Sequence, residues 1–370
     1  MGAETAETHI AWEAHEGPCV ARKDGYDIIH CEMCGFRHAV PLPTPQALTR
    51  EYAENYYSEE KPTFLQHAGE DQDWAELAQN DRLETFERVL GPGRRRLLDI
   101  GSGPGFFLKT AKNRGWNVVG VEPSRQAAAH GRGLGLQIVE GFFGAELAGE
   151  LGQFDAVNLN NVLEHLPDPT AILRAAQDVI APGGVICVNV PNDFSPLQIA
   201  AAATQGVGEW WLAPPHHLNY FDFTTLASLL ERLGFRVAEK TTSFPIEAFL
   251  LMGDNYRADP PLGRVVHGKR KKFDLALEAA GLKEVRRAFY RALAETGIGR
   301  EAVVIGSSLE HCAVLHRLER AFGHGDAAQG IVRECRCRDA PRICGADHAA
   351  DGGAQLSRLD PARAMPANTG

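Results

Sequence analysis

The sequence predicts an α/β protein built on one seven-stranded, mostly parallel sheet with helices on both faces. Two observations predict this fold class. Between residues 96 and 306, short apolar runs alternate with longer amphipathic stretches, and this alternation is typical of right-handed crossovers and a parallel sheet. A glycine-rich turn at residues 101–105 joins the first run to the first helical stretch, at the end of the sheet where such folds bind ligands.

The strands follow one another as short apolar runs that end at turn signals. The first run leads through the glycine turn into a helix that begins at Phe106 and is predicted to end at Gly115. An amphipathic helix over residues 170–180 is separated from the fifth strand by Pro182-Gly-Gly. The predicted strands are 96–101, 117–122, 136–140, 154–159, 185–190, 235–240 and 301–306.

Two segments precede the sheet domain, which we place at residues 91–306. Residues 1–50 are short of long apolar patterns and are predicted to form a cysteine-containing hairpin region. Residues 51–90 have a helical pattern studded with aromatic residues and are predicted to form a lid. Tyr56 and Tyr57 could close over a ligand from this lid, although ordinary packing is the simpler explanation.

Two insertions and a tail complete the organisation. The insertions lie at about 192–223 and 244–299, and the second has a mostly helical pattern. Its basic run, Lys269-Arg-Lys-Lys, predicts a solvated helix face. Residues 307–370 are rich in Ala, Arg, Gly, Asp and Pro with little periodicity, which predicts a disordered tail.

Composition disfavours several classes of protein. The chain has 370 residues, of which 44% are hydrophobic and 23% charged, as in globular proteins. A net charge of −10 disfavours binding to a nucleic-acid backbone. No apolar run approaches the ~18 residues of a membrane span, and the N-terminus lacks the pattern of a signal peptide. Eight cysteines are too few for a disulfide scaffold. We therefore expect a cytoplasmic protein without a nucleic-acid or membrane partner; its oligomeric state is not determined by these features.

The glycine turn, Gly101-Ser-Gly103-Pro-Gly105, is suited to a bound ligand. Glycine allows positive φ angles and close approach of a ligand to the backbone, and the helix N-terminus that follows favours a carboxylate or phosphate. The spacing lacks the third glycine of the dinucleotide-binding pattern, because Phe occupies position 106. Asp99 precedes the turn, and Glu122 ends the second strand, where a carboxylate can accept both hydroxyls of a ribose.

These features resemble the class I S-adenosylmethionine-dependent methyltransferases, in a subfamily similar to ubiquinone-biosynthesis and sugar C-methyltransferases. The resemblance rests on Leu98-Asp-Ile-Gly-Ser-Gly-Pro-Gly, Val121-Glu-Pro-Ser, the segment from Phe154 to Pro169 and Pro182-Gly-Gly. It implies a Rossmann-like sheet in which the seventh strand is antiparallel. It also implies S-adenosyl-L-methionine as the cofactor and a small molecule as the methyl acceptor.

The resemblance further implies a role for each residue of the motifs. Asp99 would place the methionyl ammonium and Glu122 would hold the ribose. Phe142 would lie beside adenine, although Gly141-Phe142 departs from the acidic–apolar pair common in the family. The complete predicted cofactor site is Asp99, Gly101, Ser102, Gly103, Gly105, Glu122, Phe142, Asn160 and Asn161.

A histidine-rich loop is the candidate for acid–base chemistry. His217, and with less support His216, lie in the loop between the fifth and sixth strands. Methylation of oxygen or carbon requires loss of a proton, and a histidine suits that task near neutral pH. Either histidine could instead cap a helix or bind a buried carbonyl. His165 is a further candidate that the motif context favours as part of the pocket wall, and Met252, Tyr256 and His267 of the second insertion are candidates to line the acceptor pocket.

The N-terminal cysteines leave two interpretations open. Cys31-x-x-Cys34 resembles half of a zinc ribbon, but the other half offers only Cys19 and His15. Because one pair is incomplete, we predict a hairpin without metal. The alternative is a zinc site of Cys19, Cys31, Cys34 and His15, since thiolate and imidazole both suit zinc.

Two other functions remain open at this point. A catalytically inactive cofactor-binding or scaffold protein of the same fold would retain the strands and lose the chemistry. A nicotinamide-dependent oxidoreductase is less favoured, because of the glycine spacing and the Glu-Pro-Ser end of the second strand. Within the leading interpretation, methylation of oxygen or carbon is expected, and the identity of the acceptor is not given by these residues.

Overall fold

A computed structural model of the protein describes residues 15–43 and 69–308. Strands and helices are numbered along the described chain. The strands are β1 (Cys19–Lys23), β2 (Tyr26–His30), β3 (Arg37–Val40), β4 (Arg96–Ile100), β5 (Asn117–Glu122), β6 (Gln137–Glu140), β7 (Phe154–Asn160), β8 (Ile180–Pro191), β9 (Asn219–Tyr220), β10 (Phe235–Thr241) and β11 (Glu301–Ser308). The helices are α1 (Gln72–Leu90), α2 (Phe106–Asn113), α3 (Arg125–Gly133), α4 (Ala145–Leu151), α5 (Pro169–Val179), α6 (Pro196–Gln205), α7 (Phe223–Arg232), α8 (Glu247–Leu251), α9 (Pro260–Ala279) and α10 (Lys283–Glu295), with a 3-10 turn at Leu163–His165.

The seven-stranded sheet has the order β10-β11-β8-β7-β4-β5-β6. Strands β4 to β8 run parallel to one another, whereas β11 is antiparallel to both β8 and β10. The predicted fold class is therefore confirmed, including the antiparallel seventh strand. The largest difference in strand bounds is that β8 begins at Ile180, before the predicted Pro182-Gly-Gly turn; the other bounds agree to within two residues. Its register against β7 jumps between Phe154 and Ala156, so residues 181–184 bulge out of the ladder.

Side chains alternate between the two faces of this sheet, and each face has its own apolar core. Leu98 of β4 packs in one cluster with residues of α5 and α7, including Leu173 and Leu226. Its neighbour Leu97 points to the other cluster, which contains Phe86 of α1 and Leu108 of α2. Because the central strands are covered on both faces, polar side chains at the strand ends are well placed to meet solvent or a ligand.

A second, four-stranded sheet has the order β1-β2-β3-β9. Strand β9 comes from the first insertion, and it pairs with β3 through Arg37↔Tyr220 and His38↔Asn219. The small core between them contains Ile28, Trp211 and Tyr220. The N-terminal segment and the first insertion thus share one sheet, which the sequence patterns did not indicate.

The helices of the second insertion hold α1 against the large sheet. His267 contacts Asp71 at 2.8 Å, and the Trp74 indole N–H donates to Asp274 at 2.7 Å. Further along α1, Arg286 pairs with Asp81 at 2.8 Å. The prediction that Lys269-Arg-Lys-Lys is a solvated face was wrong for its middle. Lys271 pairs with Asp71 and the Arg270 guanidinium stacks 4.7 Å from the Trp74 ring, because the acidic partner helix lies about 200 positions earlier in the sequence.

Some predicted features lie outside the described residues. These include Tyr56, Tyr57 and residues 309–370 of the predicted tail. Within the described ranges, every helix is too short or too polar to span a lipid bilayer.

Candidate active site

A cavity of about 540 Å³ opens at the carboxyl ends of β4, β5 and β7. These strand ends supply Asp99, Glu122 and Asn160 to its wall. The other walls come from the glycine turn, from the loops after β6 and β7, from the first turns of α1 and from the histidine-rich loop. This is the end of the sheet where ligands of parallel α/β folds bind.

The glycine turn forms the floor of the cavity. The backbone N–H groups of Gly101 and Ser102 both donate to the Val121 carbonyl, at 2.8 and 3.1 Å. Gly101 has φ +69°, and a Cβ at this position would lie 2.6 Å from Cγ2 of Val162. Gly101, Ser102 and Gly103 line the cavity. Gly105 does not: it begins α2 with φ +87°, so its contribution is to the direction of the helix.

Glu122 is held by two backbone donors at the end of β5. One carboxylate oxygen accepts from the Gly103 N–H at 2.7 Å, and the other accepts from the Ser124 N–H at 2.9 Å. Burial raises the pKa of this carboxyl group, and the two N–H donors act in the opposite direction. Each carboxylate oxygen has a further lone pair. The side chain can therefore accept two hydroxyl groups of a ligand while its position stays fixed.

Asp99 is the second buried acid of the cavity wall, at 2% exposure. The Asn158 amide donates to its carboxylate at 2.6 Å. Burial raises the pKa of Asp99 to about 7, against the opposing effects of Asn158 and Arg82. A cationic ligand group would favour the ionised form, so this acid is suited to bind an ammonium group.

Asn160 and Asn161 lie where β7 ends, and both line the cavity. The side-chain oxygen Oδ1 of Asn160 accepts from the Asn189 side-chain amide at 2.7 Å and from Arg82 at 3.2 Å. Asn161 has φ +54°, a left-handed conformation. Sequence reasoning missed Arg82, which also donates to Asn158 at 2.9 Å and so ties α1 to the strand end. Its position in a helical pattern carried no signal of this contact.

Phe142 follows β6 and lines the cavity with a side chain that is 49% exposed. The preceding Gly141 has φ +150°, and its N–H donates to the Glu122 carbonyl at 3.0 Å. The loop after β6 is therefore fixed to the end of β5. An exposed aromatic face here offers a flat apolar surface to a ligand.

Three side chains form an acid–histidine cluster in the wall: Glu164, His165 and His217, whose candidate ligating atoms lie within 4.8 Å of one another. The His165 ring contacts the His217 ring with centroids 5.0 Å apart. Nδ1 of His165 donates to the His216 carbonyl at 2.7 Å, so it carries the proton and leaves Nε2 facing Glu164 at 3.7 Å. His216 contributes this carbonyl, and its side chain does not line the cavity.

The wall facing the strand ends differs from the expectation for the acceptor pocket. Met252, Tyr256 and His267 do not line the cavity; Met252 is 67% exposed and His267 contacts Asp71. Asp71, Gln72, Ala75 and Gln79 of the α1 region line it instead. The second insertion packs behind α1, so it shapes the cavity only through that helix.

The N-terminal cysteines are not arranged as the sequence alternative supposed. Cys31, Cys34 and His15 come together, but the fourth member of the group is His38. Cys19 is exposed at the start of β1, and its thiol donates to the Ala21 carbonyl at 3.2 Å. No periodicity in the sequence assigns His38 to this group, because the position of His38 depends on the pairing of β2 with β3.

Comparison with known proteins gives consistent matches. A family described as "Methyltransferase domain" matches residues 68–240. The chain is 31% identical over 170 residues to the ubiquinone biosynthesis O-methyltransferase of Xanthomonas axonopodis pv. citri, covering 43% of this chain and 70% of that protein. It is 34% identical over 146 residues to the enzyme of the same name from Ruegeria pomeroyi, covering 37% of this chain and 59% of that protein.

The chain spans about half the length of other curated relatives, such as 47% of the Escherichia coli ubiquinone biosynthesis O-methyltransferase at 31% identity and 29% coverage of this chain. Among solved structures, a SAM-dependent methyltransferase from Archaeoglobus fulgidus aligns with a TM-score of 0.41 and 20% identity, over 64% of this chain and 94% of that chain. The matches to curated relatives favour neither the oxidoreductase nor the scaffold alternative.

Proposed function

The chain belongs to the class I S-adenosylmethionine-dependent methyltransferases, and on that premise we propose that it methylates an oxygen or carbon atom of a small-molecule acceptor. The observation that carries this proposal is the cluster of Glu164, His165 and His217 in the cavity wall. An oxygen or carbon nucleophile must lose a proton as it is methylated. A base in the same cavity as the cofactor residues meets that requirement.

The residues at the strand ends fit the cofactor. Glu122 keeps lone pairs for the two hydroxyl groups of a ribose, and Asp99 is suited to bind the methionyl ammonium. Gly101 lines the cavity and has no side chain, so a ligand can approach its backbone, while Phe142 offers its exposed ring to the adenine. When bound, S-adenosylmethionine supplies an electrophilic methyl carbon. Asn160 and Asn161 would line the pocket beside the reacting centre.

We assign the role of general base to His217. It takes the proton from the acceptor hydroxyl or carbon acid, and the nearby buried carboxylate of Glu164 stabilises the imidazolium that forms. His165 is a positioning residue, because its Nδ1–H is fixed on the His216 carbonyl and its ring packs against His217. The relatives named as O-methyltransferases favour oxygen as the methylated atom.

The test uses two adjacent histidines as a matched pair. Acceptors are first found by screening phenolic and enolic compounds with a radiolabelled methyl donor. His217→Ala should then lower turnover roughly a hundredfold, while calorimetry shows affinity for S-adenosylhomocysteine near that of the wild type. His216→Ala removes a side chain outside the cavity and leaves the carbonyl that binds His165, so it should retain turnover within about threefold. Equal losses in both variants would contradict the assignment of the base.

A pH profile gives a second readout. If His217 acts as a base, kcat/KM of the wild type should rise with pH through the range where a histidine loses its proton. The residual activity of His217→Ala should lack that limb. A profile that is the same in both proteins would show that the ionising group lies elsewhere.

A further inference from the structure

Four side chains of the small sheet converge away from the large cavity: His15, Cys31, Cys34 and His38. Nδ1 of His15 lies 3.3 Å from Sγ of Cys34, 3.6 Å from Sγ of Cys31 and 3.3 Å from Nε2 of His38. All four candidate ligand atoms lie within 4.8 Å of one another. Cys31 and His38 are fully buried, at 0% exposure.

These distances match the edges of a tetrahedron around one ion. Zinc binds sulfur at about 2.3 Å and nitrogen at about 2.0 Å, which separates tetrahedral ligand atoms by roughly 3.3–3.8 Å. The three pairs that involve His15 fall in or at the edge of this range. We propose that His15, Cys31, Cys34 and His38 bind one zinc ion as a structural site.

The local backbone supports this assignment. The N–H of Cys34 points at Sγ of Cys31 at 3.4 Å, and the N–H of Gly35 donates to the Cys31 carbonyl at 2.9 Å. An N–H directed at sulfur, as that of Cys34 is, stabilises a metal-bound thiolate. Gly35 has φ +73°, which allows the chain to reverse directly after the second cysteine. The turn is therefore already shaped to direct both sulfur atoms to one point.

The remaining two ligands are brought in by the sheet. Glu32 donates its N–H to the Glu16 carbonyl at 3.1 Å, which holds the segment containing His15 beside the cysteine turn. His38 lies on β3, the neighbour of the strand that leads into Cys31. Binding zinc would release the two thiol protons and leave a neutral Zn(Cys)₂(His)₂ unit. A neutral unit is suited to a site in which two of the four ligands are fully buried.

The proposed ion lies one strand away from the histidine-rich loop. His38 is the register partner of Asn219, and the Ala39 N–H donates to the Leu218 carbonyl at 2.8 Å. The Leu218 N–H in turn donates to the Glu164 carbonyl at 2.7 Å. A zinc ion that fixes β3 therefore also fixes the backbone directly after His217. An effect of zinc on turnover would rest on the proposed function; its effect on the backbone after His217 does not.

Metal content tests the site independently of methyl transfer. The full chain, purified without a histidine tag and without chelator, should contain about one zinc per chain by mass spectrometry of the metal. Cys31→Ser and His38→Ala should each lower that content at least fivefold. Cys19→Ser, and a variant with serine at Cys312, Cys335, Cys337 and Cys344, should keep it. Zinc below about a tenth of an equivalent in the wild type, or loss of zinc in Cys19→Ser, would overturn the proposal.

Cobalt substitution keeps the test valid if the ligand variants do not fold. The wild-type chain, stripped and reloaded with Co²⁺, should show the visible bands of a tetrahedral ion and thiolate charge-transfer absorption in the near ultraviolet. Octahedral-type spectra without thiolate absorption would refute the site.

Hydrogen exchange tests the link to the loop. Removal of zinc should increase exchange at residues 211–220 at least tenfold and leave residues 96–122 unchanged, with affinity for S-adenosylhomocysteine within about twofold. Unchanged exchange at 211–220 would overturn the positioning role, and it would do so whether or not the protein methylates any acceptor.

Discussion

Replacing Glu122 by alanine tests the cofactor site most directly. The carboxylate accepts two backbone hydrogen bonds, from Gly103 and Ser124, and it is 5% exposed. If its remaining lone pairs hold the ribose, the variant loses a charge-assisted pair of hydrogen bonds to the ligand, which are worth about 1.5–3 kcal/mol. The dissociation constant for S-adenosylhomocysteine should therefore rise by about 10- to 150-fold.

The neighbouring strand offers a matched control. Glu140 is the register partner of Glu122 and also ends its strand, but it does not line the cavity. Titration calorimetry of Glu140→Ala should give wild-type affinity. Because Glu122→Ala also leaves two buried N–H donors unpaired, its melting temperature should fall as well. Glu122→Gln keeps one acceptor oxygen and should show intermediate affinity. Affinity of Glu122→Ala within twofold of the wild type, in a folded protein, would refute the reasoning.

Three further predictions concern Asp99, the glycine turn and a second buried acid, Asp193. Asp99 has a pKa of about 7, so affinity for S-adenosylhomocysteine should increase about tenfold between pH 6 and pH 8 as the acid ionises, and calorimetry of Asp99→Asn should show a flat profile. Gly101→Ala forces Cβ against Val162, so its melting temperature should fall by several degrees; Gly115→Ala, also at positive φ but with open space, should lose less. Burial raises the pKa of Asp193 to about 8, well above that of an unfolded aspartate, so wild-type stability is lost as pH rises from about 4 to about 8. The melting temperature of Asp193→Asn should accordingly exceed that of the wild type by an amount that grows across this pH range. A difference in melting temperature that does not change with pH would contradict the raised pKa of Asp193.

The large sheet could be predicted because its signals are local. Each central strand is apolar on both faces, so it stands out as a continuous run bounded by turns, and the predicted second strand, Asn117–Glu122, has the observed bounds. The bulge at residues 181–184 could not be predicted, since it depends on the register against β7. Pro182-Gly-Gly indicated a turn before the strand and did not show that the strand already begins at Ile180.

The same distinction, between local signals and contacts made by distant parts of the chain, separates the site residues that were predicted from those that were missed. Asp99, Glu122 and Asn160 line the cavity because each ends a strand, and strand ends were visible in the sequence. Arg82 and Gln79 were missed because a polar residue on a helix carries no mark of what it faces. His38 was missed for a related reason: its partners in the cluster are set by antiparallel pairing and not by sequence spacing.

The pairing of β3 with β9 joins positions 38 and 219, and this separation has a consequence for synthesis on the ribosome. The parallel strands β4 to β7 can assemble in the order in which they emerge, but the hydrogen-bonding edge of β3 has no partner until the chain has grown past residue 220. An open edge of this kind invites association with other nascent chains. The small sheet therefore covers this edge only after strands β4 to β8 of the large sheet have been made.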